Sequence, residues 1–301
     1  MIDIILATYN GEKYLRAQLE SLLSQTRSDI RIHICDDCSN DKTEQIAGKY
    51  CAEYSNVFWH RNKKNTGFVL NFLRGIKRSD ADYIMLCDQD DIWYPDKVEK
   101  TYQAMKRAES EKRSPVLVFT DAEIYDGRTP TKRSFMRSTH HNTKSVDFNH
   151  ILMENICIGC TVMINRELAD KLEYLPSAIR YHDWWLALIA SAFGRIVYLD
   201  EMTLKYRQHE TNIVGGAGFR EYVRNRFLKL SEQREVLRQT YQQGRAFFQV
   251  YMGELPDDTR AVCRAFAGMD NASWLDKRLL MLRYGFKKSG LIRNIGLFLL
   301  M

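Results

Sequence analysis

The segment CDQDDIWYPDK, residues 87–97, holds the residue types best suited to chemistry, because Asp88, Asp90 and Asp91 directly follow the apolar, β-prone residues 83–86. A strand pattern followed by clustered acids indicates carboxylates held at the end of a strand. Such closely spaced carboxylates repel one another unless a cation, hydrogen bonds or water offset the charge, and a hard divalent cation does so well. The segment therefore favours a metal site, with an acidic turn that caps a helix starting near Pro95 as the alternative.

The residues before this segment alternate between strand and helix patterns, which is typical of an α/β fold. Strands are predicted at residues 2–7, 30–35, 57–60 and 83–87, and helices at residues 15–23, 43–54 and 68–77. This alternation predicts a doubly wound, mostly parallel sheet flanked by helices. Ligands bind such sheets at the carboxyl ends of the strands, where residues 8–10, 36–37 and 88–91 would converge.

The second half of the chain carries further elements and a helical extension. Strands are predicted at residues 116–120, 160–164, 196–199 and 204–206, a helix at residues 183–193, and a loop or flap at residues 125–145. Long helical patterns begin near Tyr222. We therefore expect an α/β domain over residues 1–215 and a C-terminal helical region over residues 216–301.

Several common binding signatures are absent from the sequence. The turn TYNGEKY after the first strand lacks the GxGxxG of dinucleotide-binding folds, and no Walker A loop occurs. Cys157 and Cys160 form a CxxC without a second Cys or His pair at zinc spacing, and the 7 cysteines indicate buried, reduced thiols.

The first strand pattern begins at Ile2, which leaves no room for a signal peptide, so we expect a cytoplasmic protein.

The net charge of +6 is concentrated in the C-terminal region. Residues 216–301 hold 15 Lys and Arg against 8 Asp and Glu, whereas residues 1–215 hold 29 against 30. Residues 277–301 combine basic and apolar residues at helical spacing with no acid, which favours an anionic membrane surface over an ordinary surface helix. No apolar stretch approaches the ~20 residues of a spanning helix. No nucleic-acid-binding module is recognisable, so no nucleic acid partner is expected.

Seven segments follow one another along the first two thirds of the chain. They are ATYNGEKYL, CDDCSND, NTGF, CDQDDIWYPDK, ICIGCTVMI, HDWW and YRQHETN. With these segments in this order, roughly residues 1–215 resemble family 2 glycosyltransferases of the GT-A fold, and they are similar to bacterial enzymes described as rhamnosyltransferases of surface polysaccharide synthesis. Each segment alone is a weak signal, but the ordered set is highly specific.

The resemblance implies a nucleotide-sugar site at the ends of the first strands. The residues implied to bind the donor are Thr8, Tyr9, Asn10, Glu12, Asp37, Asn65, Asp88 and Arg207. Asp37 would accept a hydrogen bond from a pyrimidine N3, and Arg207 would pair with the diphosphate. From the residues alone, Asn10 and Asp37 also fit a turn and a helix cap, and either geometry could coexist with binding.

The resemblance also assigns the reacting groups. Asp90 occupies the position of a direct metal ligand and His209 that of a further ligand, for Mn²⁺ or Mg²⁺. Asp183 occupies the position of the general base of an inverting enzyme, which needs one carboxylate to take the acceptor proton. The candidates for acceptor contact are Asp91, Trp184 and Trp185.

These roles together predict an inverting, metal-dependent glycosyltransferase that moves a sugar, with rhamnose a candidate, from a TDP- or UDP-sugar to a glycan or lipid-linked acceptor. We expect a peripheral protein at the inner face of the bacterial cytoplasmic membrane. The alternatives are a sugar-1-phosphate nucleotidyltransferase and a non-catalytic nucleotide-sugar-binding membrane scaffold. One departure from the commoner family pattern is His182, which stands where Glu is frequent. We expect this histidine to be structural and to bond a neighbouring segment.

Overall fold

The first half of the chain forms the parallel part of one sheet. The computed structural model describes residues 1–109, 113–127, 130–208 and 230–301. β1 (Ile2–Thr8) pairs in parallel with both β2 (Ile30–Asp36) and β4 (Tyr83–Asp88), and β2 pairs in parallel with β3 (Val57–Arg61). All of β1 is buried, because helices cover both faces of a parallel sheet. The elements alternate as predicted: β1 (Ile2–Thr8), α1 (Leu15–Leu23), β2 (Ile30–Asp36), α2 (Thr43–Glu53), β3 (Val57–Arg61), α3 (Phe68–Arg78) and β4 (Tyr83–Asp88).

A mixed extension completes the sheet. Its elements are β5 (Ile92–Trp93), α4 (Lys97–Ala108), β6 (Val116–Tyr125), β7 (Pro130–Ser134), α5 (Phe135–Thr139), α6 (Phe148–Met153), β8 (Val162–Asn165), α7 (Arg166–Asp170), α8 (His182–Phe193) and β9 (Arg195–Arg207). Among the described residues the strand order is β3-β2-β1-β4-β8-β6-β9-β5, with β7 beside β6. β8 is antiparallel to β4 and β6, whereas β9 is parallel to β6. The predicted α/β class, a mostly parallel sheet flanked by helices, is confirmed.

Two parts of this extension differ from the prediction. Residues 196–199 and 204–206 belong to the single strand β9, whose register against β6 shifts at Thr120 and Asp121, so a bulge stands where a break is predicted. Residues 125–145, predicted as a loop or flap, contain β7 and α5. The buried Asp121 carboxylate anchors them, because it accepts hydrogen bonds from the Ser134 hydroxyl and from Met136 N. Because these anchoring contacts are polar, the segment has no hydrophobic periodicity from which β7 and α5 could be predicted.

The C-terminal region is helical, as predicted. It contains α9 (Leu230–Tyr251), α10 (Asp257–Ala267), α11 (Trp274–Tyr284) and α12 (Leu291–Leu300). Phe247 of α9 packs against Trp185 of α8 with ring centroids 5.4 Å apart, so this region shares a core with the sheet. The boundary predicted at residue 215 lies outside the described residues and stays a prediction. In the part of the chain that the structure describes, every helix is too short or too polar to cross a bilayer.

Candidate active site

A cleft of about 380 Å³ lies at the carboxyl ends of β1, β2 and β4 and beside the start of α8. The predicted site residues that line it are Thr8, Tyr9, Asp37, Asn65, Asp88, Asp90 and Asp183. Residues that line it without having been predicted include Gln89, Asn71, Phe72, Tyr181 and Tyr206. Larger hollows, of about 540 and 670 Å³, lie near Lys171 and Met1 and contain none of the predicted residues. We therefore identify the site by its chemistry and not by its volume.

Gln89 joins the ends of β1 and β4. Its Oε1 accepts hydrogen bonds from Thr8 Oγ1 at 2.6 Å and Tyr9 N at 2.9 Å, and its Nε2 donates to Tyr9 O at 3.3 Å. A Cβ atom at Gly11 would lie 2.5 Å from both Gln89 Oε1 and Thr8 Oγ1, so a side chain there would displace this contact. Tyr9 is thus fixed through its backbone while its side chain, in a residue 45% exposed, stays open to a ligand.

Asn10 and Glu12 contact the loop after β2. Asn10 adopts a left-handed conformation with φ of 50°, as the predicted turn requires, and its Oδ1 accepts from Asn40 N at 2.9 Å. Glu12 Oε2 accepts from Lys42 N at 3.0 Å. Both side chains therefore hold the loop that carries residues 39–42 in place. Donor contact by Asn10 and Glu12 stays a prediction.

The buried Asp37 carboxylate organises the loop before α3. It accepts from Thr66 N at 2.9 Å, Gly67 N at 2.7 Å, Thr66 Oγ1 at 3.0 Å and Asn62 Nδ2 at 2.8 Å. These bonds use most of the four or so acceptor positions of a carboxylate. Asn65, which lines the cleft, belongs to the same loop. Asp37 thus shapes the donor side of the cleft, and its contact with a pyrimidine N3 stays a prediction.

The acid cluster after β4 is divided between the cleft wall and the interior. Asp88 and Asp90 line the cleft and are partly exposed, whereas Asp91 is buried behind them. Burial, together with the charges of Asp91, Asp90 and Asp183, raises the pKa of Asp88 well above its ordinary value. Burial and the Asp90 charge raise the pKa of Asp91 to about 7. Repulsion and desolvation therefore leave this cluster short of positive charge, which a divalent cation would supply.

The cluster offers a second set of candidate ligands. Ligand atoms of Asp88, Asp91 and Cys160 all lie within 4.8 Å of one another, and Asp91 Oδ2 is buried with no hydrogen-bond partner in the described residues. Burial raises the pKa of the Cys160 thiol well above its ordinary value. Thiolate ligands suit softer cations such as Zn²⁺. The oxygen donors at the cleft suit Mn²⁺ or Mg²⁺ better, and they fit the predicted cofactor.

Lys97 is a cation inside the fold, and its side chain is completely buried. Its Nζ donates to Thr203 Oγ1 at 3.0 Å and lies 4.6 Å from the centre of the Trp93 ring. Burial lowers its pKa to about 8, while electrostatic interactions with Cys160, Cys87 and Asp91 oppose that change. Lys97 therefore contributes positive charge on the buried side of the acid cluster, where it interacts with Asp91.

Asp183 lies in the first turn of α8, where the helix dipole favours a negative charge. Burial raises its pKa to about 6, although hydrogen bonds from Trp184 N, the Asn155 side chain and the Gly159 backbone act in the opposite direction. The carboxyl group therefore ionises near neutral pH and remains a usable proton acceptor. A base with a pKa close to the working pH is the most effective kind.

His182 packs as an uncharged aromatic ring. It stacks on Phe72 with ring centroids 4.0 Å apart, and burial lowers its pKa to about 3. Neither ring nitrogen has a hydrogen-bond partner in the described residues, so the bond expected to a neighbouring segment is not observed. A Cβ atom at Gly159 would lie 2.7 Å from His182 Nε2, which explains why a glycine faces this ring.

Trp184 and Trp185 lie in the core and not on the cleft wall. Trp185 is fully buried against α9, and Trp184 Nε1 donates to Ile151 O at 2.6 Å. Large aromatic side chains stabilise a core by the area they bury. Their placement gives no support to the acceptor contact expected of them, and that expectation is not carried into the proposed function. Asp91, being buried, is likewise closed to an acceptor in this structure.

Arg207 at the end of β9 ties that strand to the acid cluster. Its backbone N donates to Asp91 Oδ1 at 3.1 Å, and its Nε donates to Asp90 O at 2.7 Å. Its guanidinium lies 4.8 Å from the ring centre of Tyr14 and 5.0 Å from that of Tyr125. Arg207 thus lies beside Asp90 without lining the cleft, and its pairing with a diphosphate stays a prediction. His209, the predicted ligand from the same segment, lies outside the described residues.

These observations define a class of protein. Two carboxylates at the end of one strand, Asp88 and Asp90, and a third at the start of a helix, Asp183, line a single cleft. This arrangement is expected of a nucleotide-sugar-dependent transferase. The family model described as Glycosyl transferase family 2 matches residues 3–173. The chain therefore belongs to glycosyltransferase family 2.

Relatives of known description agree with this assignment. The chain is 33% identical over 228 residues to a protein described as dTDP-rhamnosyl transferase RfbG of Shigella flexneri, covering 70% of this chain and 73% of the relative. It is 28% identical over 198 residues to the putative teichuronic acid biosynthesis glycosyltransferase TuaG of Bacillus subtilis, covering 64% of this chain and 73% of the relative.

Solved structures share the fold at low sequence identity. The S. aureus TarS fragment 1-349 in complex with UDP matches with a TM-score of 0.57 and 18% identity, over 90% of this chain and 70% of that one. The mannosyltransferase PcManGT of Pyrobaculum calidifontis, in complex with GDP-Man and Mn²⁺, matches with a TM-score of 0.57 and 14% identity, over 93% of this chain and 73% of that one. The predicted GT-A fold is thus confirmed.

Proposed function

We propose that this glycosyltransferase is inverting and metal-dependent and that it transfers a sugar from a TDP- or UDP-sugar, with rhamnose the candidate, to a glycan or lipid-linked acceptor in bacterial surface polysaccharide synthesis. One observation carries the proposal: Asp88, Asp90 and Asp183 line the same cleft. The names of the Shigella and Bacillus relatives support the sugar and the pathway class. The Mn²⁺ complex of the mannosyltransferase neighbour supports a metal.

The acidic residues of the cleft are proposed to act on different partners, Asp183 on the acceptor and Asp90 and Asp88 on the metal. Asp183 would take the proton of the acceptor hydroxyl as that oxygen attacks the anomeric carbon, so inversion needs no enzyme nucleophile. Asp90, with Asp88 beside it, would hold Mn²⁺ or Mg²⁺, which neutralises the leaving diphosphate when bound. Arg207 would add a positive charge beside the same phosphates. Ligation by His209 stays part of the proposal.

The family membership favours glycosyl transfer over the nucleotidyltransferase alternative. It also favours a working enzyme over a scaffold that binds nucleotide sugars without turnover. The raised pKa of Asp183, to about 6, favours the enzyme, because a binding module has no need of a proton acceptor in the cleft. The acceptor side is proposed to face the cytoplasmic membrane, with the protein attached peripherally to the anionic inner surface.

The donor is tested by thermal unfolding with a panel of nucleotide sugars, each with Mn²⁺ or with EDTA. A matching donor at 100 times its Kd adds ~2.7 kcal/mol of stability, which for a chain of this length corresponds to a rise in Tm of roughly 4 °C. Asp90→Asn should remove the Mn²⁺-dependent part of that rise. Asp96→Asn is the matched control, because Asp96 pairs with Lys100 at 2.8 Å outside the cleft. No Mn²⁺-dependent rise with any nucleotide sugar would contradict the proposal.

A further inference from the structure

Helices α11 and α12 turn their apolar residues toward solvent. On α12 the exposed residues 291, 292, 295, 298 and 299 are Leu, Ile, Ile, Phe and Leu, and they repeat at the spacing of one helix face. On α11 the exposed residues 274, 275, 279 and 282 are Trp, Leu, Leu and Leu. Leu291 is 76% and Leu282 is 73% exposed. We call these nine residues the apolar face.

The same two helices turn arginines inward. Arg293 of α12 is buried, and its guanidinium donates to Thr139 O, His140 O and Glu154 Oε1, the last at 3.3 Å. Arg278 of α11 is also buried. A helix of a water-soluble surface packs its apolar stripe on the core and leaves its charges in water. Both helices bury an apolar residue in the core, Met281 and Leu297, but each also buries an arginine and leaves most of its large apolar side chains in water, which favours a further apolar phase on the outer side.

Arg278 also joins the two helices into one surface. Its Nη1 donates to Trp274 O at 2.7 Å and its Nη2 donates to Phe298 O at 2.5 Å. Its guanidinium lies 3.7 Å from the Trp274 ring centre and 4.9 Å from that of Phe298. Trp274 and Phe298 therefore flank one guanidinium, so the exposed side chains of α11 and α12 form one patch. A contiguous patch of this kind marks a docking site for a protein or a membrane.

The surrounding charge selects an anionic partner. Of the basic residues in segment 274–301, Arg283 and Lys287 are exposed and Lys277 and Lys288 are partly exposed, against one exposed acid, Asp276. A second copy docking through a two-fold axis would bring these like charges together. An anionic bilayer attracts them and accepts the apolar side chains. The helices have 11 and 10 residues, which at ~1.5 Å per residue cannot span a core of ~30 Å, so they would lie in the interface.

This patch is fixed to the wall of the cleft. Glu154, at the end of α6, accepts from Ser289 N at 2.6 Å as well as from Arg293. The next residue, Asn155, contacts Asp183 through its side chain. Buried polar contacts of this kind orient the parts they join. The segment between α11 and α12 is therefore rigidly positioned relative to the general base.

We propose that the apolar face of α11 and α12 lies in the surface of an anionic bilayer and thereby holds the cleft where a lipid-linked acceptor is presented. The inference deepens the proposed function: it rests on that function for the membrane-linked acceptor, and it assigns the proposed peripheral attachment to these two helices. Binding of the apolar face to a bilayer needs neither donor nor turnover, so the two claims can fail separately.

The test is sedimentation of the full-length protein with vesicles of phosphatidylcholine alone or mixed with phosphatidylglycerol. The wild type should bind the anionic vesicles, more weakly as salt rises. The double variant Leu282→Ser, Leu291→Ser should bind at least tenfold more weakly. The control double variant Tyr174→Ser, Met252→Ser replaces residues that are 65% and 54% exposed elsewhere, and it should bind as the wild type does.

Equal vesicle binding by the Leu282→Ser, Leu291→Ser variant and the wild type would overturn the inference, as would a wild type that binds neither vesicle. A concentration-dependent dimer that this variant abolishes, without vesicle binding, would overturn it too, because the face would then be covered by a second copy. Both variants should keep the rise in Tm with donor and Mn²⁺. Loss of that rise in the wild type, with vesicle binding intact, would refute the proposed function and not this inference.

Discussion

Replacing Asp183 by Asn is expected to stop sugar transfer and to stabilise the fold at neutral pH. Removal of a general base lowers the rate by about 10²–10⁴-fold. The stability effect follows from the pKa of Asp183, which burial raises from 3.8 to about 6. This difference corresponds to about 3 kcal/mol for a completely sequestered group. Since Asp183 lies on the cleft wall and is partly exposed, we expect a gain of about 1–2 kcal/mol for Asp183→Asn.

The sign of the effect depends on pH. A carboxyl group whose pKa is raised on folding contributes its full stability below its ordinary pKa, and that contribution is lost as pH rises through about 6. The Asn variant should therefore be more stable than the wild type above pH 6, and the advantage should disappear toward pH 4. Transfer by the wild type should follow the opposite trend and fall as the pH drops below about 6, because only the ionised carboxylate accepts a proton.

Urea unfolding between pH 4 and 8 and turnover at the same pH values measure both effects. Asp257→Asn is the matched control, because Asp257 also lies in the first turn of a helix but its side chain is 93% exposed. This control should change neither turnover nor the pH dependence of stability. Full turnover in Asp183→Asn, or a stability difference that is independent of pH, would refute the assignment of Asp183 as the base.

Two further substitutions test the walls of the cleft. Asp37→Asn should lower the free energy of unfolding by about 2–3 kcal/mol, because an amide group would face the Thr66 and Gly67 backbone donors. An unchanged melting temperature would show that these bonds contribute little. Gly159→Ala should lower the free energy of unfolding by about 1–3 kcal/mol and reduce turnover, because the new Cβ would lie 2.7 Å from His182 Nε2. Normal turnover and stability would show that the ring moves freely.

The parallel half of the fold could be predicted from the sequence, because its signals are local. β1 is apolar on both faces, Asn10 and Gly11 supply the turn after it, and α1 follows with leucines at helical spacing. Parallel strands must have their carboxyl ends on one edge. Residues at the ends of β1 and β4, such as Thr8 and Asp88, could therefore be assigned to one cleft without knowledge of the side-chain contacts.

The remaining features depend on contacts between distant segments. Asp91 follows Asp90 directly and yet points into the fold, because the backbone of Arg207 on β9 binds it. Trp185 is buried because α9, more than 40 residues later, covers it. A helical period shows that α12 has an apolar side but not which side faces inward. Only the contacts of Arg293 with α5 and α6 show that the arginine is inside.

The claim that Asp90 and Asp88 bind a divalent cation that tethers the donor is tested most directly by a crystal structure with Mn²⁺ and UDP or TDP. Anomalous scattering locates the ion independently of the nucleotide. We expect Mn²⁺ in coordination contact with Asp90 and with the phosphates of the nucleotide, in the cleft lined by Thr8, Asp88 and Asp183. An ion bound between Asp91 and Cys160, or a nucleotide bound with Asp90 remote from any metal, would contradict it.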